Sequence, residues 1–243
     1  MAVRQICACF VLLGSVGVAS AADAPVHDPL WKAALDKAAE NRTWRPRRIL
    51  EDERLIHPKG GMFDRRTESV HETYRDEEGR WWARLVSAVR GGKDVSEARR
   101  KELEKRPKRE FFKPENDVFG PLWNASNTAT RTQLRHEFEG RPAVGFLYTM
   151  EARDATWVGV VFVDAVSGVP RLITVVPDRF PVQENVTIRN MTLEFYFKED
   201  GERWSLDRME IRSNIEAKMS ALFTWKGRSE VSLKFEDWYE LKD

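Results

Sequence analysis

Apolar and polar side chains alternate residue by residue in three stretches near the C-terminal end of this chain. Met191, Leu193, Phe195 and Phe197 share one phase, with Thr192, Glu194 and Lys198 in the other. Ala217, Met219, Ala221, Phe223 and Trp225 repeat the pattern, and so do Val231, Leu233 and Phe235. Successive strand side chains point to opposite faces, so each stretch predicts a strand with one apolar and one wet face. Such faces join into a sheet surface that has to be covered or filled.

The rest of the chain predicts more of the same. Asp28-Pro29 opens a helix over Asp28–Asn41, with Leu30, Trp31, Ala34, Leu35 and Ala38 on one stripe. Strands follow at 47–56, 66–75 and 80–89, the last two forming a hairpin across Asp76-Glu77-Glu78-Gly79. Residues 96–105 make a strongly charged helix ended by Pro107, which reads as a solvated excursion because acids and bases interleave. Residues 111–130 are irregular and aromatic (Phe111, Phe112, Phe119, Trp123), a long loop of the kind that covers an apolar surface or gates one. Further strands fall at 133–139, 143–152, 156–164, 171–176, 186–198 and 203–212. Strands follow one another without alternating helices, which disfavours a parallel sheet. The expected class is α+β: a strongly curved, mainly antiparallel sheet, an incomplete β-barrel of about ten strands, with covering helices.

Composition changes the picture at the N-terminus. Arg4, the apolar run from Ile6 to Val18 and Ala19-Ser20-Ala21 have the layout of a secretory signal over residues 1–21. Residues 22–243 then form one domain with a charged helical insertion near 94–108. Both cysteines, Cys7 and Cys9, fall inside the signal, so an exported chain would rely on its core rather than on disulfides. Removing Arg4 leaves equal numbers of basic and acidic residues, which argues against nucleic acid as a partner. No later apolar stretch approaches the ~20 residues of a membrane-spanning helix. The expected location is periplasmic or secreted.

Catalytic signatures are sparse. His57, His71 and His136 stand apart, without metal-ligand spacing, and there is no Gly-x-Ser-x-Gly, phosphate loop or dinucleotide fingerprint. Asp164 and Glu194 are the carboxylates to test as a hydrolase pair, although Asp164 suits a turn and Glu194 lies on the wet phase. Asn41, Asn124, Asn185 and Asn190 stand in glycosylation sequons, which matter only in a eukaryotic secretory pathway. No enzyme activity and no cofactor are expected.

Thr156-Trp-Val-Gly-Val-Val-Phe-Val-Asp-Ala-Val-Ser-Gly-Val-Pro-Arg171 is a strand ending in Asp, followed by a turn with Gly-x-Pro. With Asp200-Gly201-Glu-Arg-Trp204 and the first amphipathic helix, it resembles the outer-membrane lipoprotein carrier and lipoprotein-sorting (LolA-like) family. The segment 84–92 and the charged helix after it are similar to an insertion in some secreted relatives, and depart from the basic carrier layout. The resemblance implies an incomplete barrel holding lipid or lipoprotein acyl chains on its apolar concave face. Phe195, Phe197, Phe223 and Trp225 are then the lipid-binding wall. Aromatics on a strand's inner face are core more often than ligand wall, and the alternative function is a cell-envelope structural or protein-interaction module with a fully packed sheet.

Overall fold

In the computed structural model the described residues are 28–40, 44–58, 60, 64–104, 129–152, 155–180, 186–201, 203–218 and 224–240. The signal-like segment, residues 111–128 of the aromatic loop and Phe223 lie outside them, and Thr130, expected to end that loop, begins a strand. Helix α1 spans Pro29–Glu40. Asp28 caps it, its Oδ1 accepting the N–H groups of Leu30 (2.9 Å) and Trp31 (3.3 Å). Four strands follow: β1 Trp44–Ile56, β2 Arg65–Arg75, β3 Trp81–Arg90 and the short β4 Lys93–Asp94. Helix α2 is Ser96–Glu104. The remaining strands are β5 Thr130–Phe138, β6 Arg141–Ala152, β7 Ala155–Asp164, β8 Pro170–Pro177, β9 Val186–Asp200, β10 Arg203–Lys218 and β11 Thr224–Glu240.

All eleven strands lie in one antiparallel sheet, in the order β4-β3-β2-β1-β11-β10-β9-β8-β7-β6-β5. The chain enters at the centre, steps out to β4, and reappears at the far edge as β5. It then steps back until β11 pairs with β1 over Trp44–Glu240 to Ile56–Arg228. Long-range pairing at the middle of the sheet therefore joins two meanders that are each built from local hairpins.

The α+β half-barrel expectation is corrected here. The sheet is open and not strongly curled, the described helices are two short ones, and the architecture is essentially all-antiparallel β. The edges explain why it stays open. β4 is two residues long, and β5 is exposed along most of its length. Arg135 on β5 turns its guanidinium onto the carbonyl oxygens of Thr132 and Leu134, 3.0 Å from each, where the β5–β6 register is also broken. Edge strands blunted in this way do not template a further pairing.

A second correction concerns residues 217–226. They are not one strand: Ala217 pairs with Trp225, and Lys218 with Thr224, across the β10–β11 connection. The alternation keeps its phase from one strand to the other because the paired residues are an even number of positions apart.

The core lies on the face carrying the odd positions of β7, β9 and β11. Phe146, Val161, Val163, Ile173, Val175, Leu193, Phe195, Ile211 and Phe235 are buried there, with Trp31, Ala34 and Ala38 of α1 against them. Trp31 packs on Phe146 at 5.3 Å between ring centroids. Gly168, at φ 72°, lets the helix approach the β7–β8 turn: a Cβ there would stand 2.6 Å from that of Ala33. Each large side chain buried this way contributes roughly 1.5–3 kcal/mol.

Candidate functional site

The expected lipid-binding wall is built into the core. Phe195 and Phe197 on β9 are 3 and 7 % exposed, and Trp225 on β11 is 4 % exposed. Phe197 stacks on Trp204 at 4.5 Å, and the Trp204 indole N–H donates to the Pro170 carbonyl oxygen at 2.7 Å. Trp225 lies across Gly227, where a Cβ would come within 2.5 Å of its ring. Phe223 lies outside the described residues.

Asp164 and Glu194 are not brought together as a catalytic pair. Asp164 ends β7 and organises the turn behind it, its Oδ1 accepting the N–H groups of Ser167 (2.8 Å) and Val166 (3.0 Å). Burial pushes its carboxyl pKa up, but those two N–H groups and Arg171 outweigh it and hold the pKa below the usual value. Arg171, itself buried, lies 3.4 Å from Asp164 and 2.8 Å from Glu199, and Arg141 closes on Glu199 at 2.6 Å. This network ties the ends of β6, β7, β8 and β9 and leaves Asp164 no free oxygen for acid chemistry. Glu194 sits in mid-strand, 2.9 Å from Arg212 and accepting the Tyr196 hydroxyl at 3.0 Å. The histidines are dispersed too. His71 Nε2 is 2.9 Å from Glu51, His57 stands beside Trp225, and His136 packs on Phe138. Among the described residues no three His, Cys, Asp or Glu side chains are grouped to hold a metal.

The inner face changes character toward β1–β3. Glu51 and Glu53 share the phase of Ile49 and Leu55, and α2 lies over them. Arg99 of α2 is buried, 3.2 Å from Glu53, 3.8 Å from Glu51 and 3.3 Å from Glu102. The charged helix is therefore not merely a solvated excursion, since one of its bases is sealed against the sheet.

The outer face is divided as well. On β9–β11 it is a lattice of ion pairs, among them Arg212–Glu194, Arg208–Glu210, Arg189–Glu216 and Lys198–Asp207. On β5–β8 it is apolar. Val158 pairs with Val176, Leu147 with Val160, and Phe162 with Leu172, all opposite in phase to the buried Trp157, Val161 and Val175. Leu134, Leu147, Val158 and Val176 are 41–50 % exposed. Isolated exposed apolar side chains are ordinary, whereas these four lie on four neighbouring strands of one face.

No protein-family model matches the chain, and no curated protein sequence matches it. Solved structures similar to it include the following two. One is a DUF1329 family protein from Desulfovibrio piger, 9 % identical, TM-score 0.36, covering 88 % of this chain and 93 % of that one. The other is MucB, solved in complex with MucA(peri), 9 % identical, TM-score 0.22, covering 87 % and 99 %. At that identity and overlap neither likeness carries an argument about this chain. No described helix is long and apolar enough to cross a membrane.

The apolar outer patch escaped the sequence reading, although its signal is present. Trp157–Val163 and Leu172–Val176 are apolar in both phases with little interruption, whereas β9 and β11 alternate cleanly. A strand apolar on both sides must meet something on both sides.

Proposed function

We propose that this protein is a non-enzymatic, exported cell-envelope module that binds a partner protein through the apolar outer face of β5–β8. One observation carries the proposal: the apolar side chains of the inner face are already buried, α1 among what they pack against, while Leu134, Leu147, Val158 and Val176 remain in solvent on the other side. Photo-crosslinking residues placed at Val158 and Val176 in the intact cell envelope test it. One distinct protein adduct is expected from both positions and none from Lys234 on the charged part of the same face. Equal crosslinking from all three positions, or none from any, would overturn it.

A second reading keeps lipid or lipoprotein acyl chains as the ligand, with Phe195, Phe197, Phe223 and Trp225 as its wall and a LolA-like carrier role. It is favoured by the way α1 is attached. Among the described residues α1 is the helix laid on the apolar inner face, and it docks partly through small side chains, Ala33 on Gly168 together with Ala34 and Ala38. An acyl chain would take the place of α1. Mass spectrometry of organic extracts after gentle purification, with uptake of a fluorescent fatty acid, decides this reading. Absence of both sinks it.

A further inference from the structure

Strand β7 is apolar on both of its sides. Trp157, Val161 and Val163 are buried inward, while Val158, Val160 and Phe162 turn outward. Strands that are covered on both faces carry this composition. The inner side has its cover: α1, 12 residues long, lays Trp31 on Phe146 of β6 and Ala33 on Gly168 behind β7. On the outer side of the same strands no helix lies among the described residues.

Strand β5 makes that outer side uneven. Its ladder with β6 jumps from Arg131–Phe146 to Arg135–Val144, so β5 carries surplus residues. They are drawn over Gly145, where a Cβ would stand 2.9 Å from the Thr132 hydroxyl and 3.0 Å from the Leu134 Cβ. The Thr132 hydroxyl fixes this fold-over, donating to the Gly145 carbonyl oxygen at 2.9 Å and accepting the Leu134 N–H at 3.1 Å. Further along, the His136 ring lies 4.4 Å from Phe138 and 5.5 Å from Phe162, reaching across β6 at Ala143. Leu134, His136 and Phe138 thus form a ridge over the small residues of β6. On the far side the apolar surface ends at β9, where Glu194 and Tyr196 face Thr174 and Leu172 and are engaged by Arg212 and Arg208. Leu147, Val158, Val160, Thr174 and Val176 make the floor between ridge and charged border.

This relief selects the occupant. Two sheets packed face to face stay about 10 Å apart along their whole faces, and the β5 ridge stands in the way of a second sheet lying down here. Size argues against a second copy as well. Four strands ~4.8 Å apart, with about three outward positions each, give a face of roughly 300 Å², well short of the ~800 Å² per partner of a standard interface. A single α-helix suits it, being about 10 Å across and about 18 Å long over three turns. The 12-residue α1 covers the reverse of these strands in the same way. We propose that the outer face of β5–β8 docks one amphipathic helix of a partner protein, about three turns long, with its apolar stripe on Val158 and Val176 and its side against Leu134. The inference rests on protein docking at this face and adds the form of the partner.

Photo-crosslinking probes at Leu134, Leu147, Val158 and Val176, introduced singly in the intact cell envelope, test it when the adduct sites on the partner are mapped by mass spectrometry. All four probes are expected to mark one stretch of a single protein, at residues three, four or seven apart. Should one variant not fold, the other three still define the spacing. Sites two apart, as in an extended strand, overturn the helix and leave docking intact. Sites scattered over distant segments, or on a second copy of this chain, do the same. Adducts to lipid alone, or none from any position, overturn the docking itself and the helix with it.

Discussion

Arg99 of α2 reaches Glu53 of β1 with 3.2 Å between guanidinium and carboxylate, and both side chains are almost sealed from solvent. Charges this buried hold only while paired, because desolvation of a lone member is not recovered. Arg99→Met should therefore destabilise the protein by about 3–5 kcal/mol. The double change Arg99→Met with Glu53→Leu should recover much of that loss. Urea unfolding of the three proteins measures it, and an additive double mutant would refute the pairing as its origin.

Gly168 offers a sharper test of how α1 is seated. Alanine there must adopt a positive φ and must also push its Cβ into Ala33. Gly201 has a similar φ, 65°, but nothing within 4 Å. Gly201→Ala should cost about 1–2 kcal/mol from backbone strain alone. Gly168→Ala should cost clearly more and should speed hydrogen exchange in α1. Equal losses for the two variants would show that α1 does not depend on the close approach.

The acid limb of stability should depend on Asp164. Its folded pKa lies below its unfolded value of about 3.8, so the carboxylate contributes stability that is complete above 3.8. That contribution fades as the pH falls through the lower, folded pKa. Asp164→Asn should lower stability at neutral pH and flatten its decline below pH 3.8. A parallel downward shift of the whole profile would mean that the turn, not the charge, was lost.

The outer apolar patch should tolerate charge without loss of fold. Val158 and Val176 face each other half in solvent, so Val158→Lys with Val176→Glu places opposite charges across the strands. Surface changes of this kind stay within about 0.5 kcal/mol. Thermal unfolding should be nearly unchanged, while crosslinking to the partner protein from a probe at Leu147, on the same face, disappears. Retained crosslinking would move the contact elsewhere.

Much of the secondary structure is legible in local spacing. Asp28-Pro29 and the Leu30–Ala38 stripe mark α1, and the alternation in Met191–Phe197 and Val231–Phe235 marks which positions of β9 and β11 face the core. Asp164 reads correctly as a turn residue because an Asp at a strand end can accept the N–H groups that follow it. Arg99 is illegible, since nothing in a helix of alternating acids and bases says which base meets Glu53, a partner 46 residues away. The end of the β1–β2 ladder at Arg48–Glu72 is equally silent, because both strands continue in pattern after their pairing ends.

The sequence by itself determined most of the strands and the core-facing phase of β9 and β11, because side-chain alternation and turn chemistry act over a few residues. Tertiary structure decided that β11 pairs with β1, that the edges at β4 and β5 never meet, and that α1 occupies the apolar face. Those outcomes depend on which distant surfaces find each other, and a period of two along the chain carries no information about its neighbours in space.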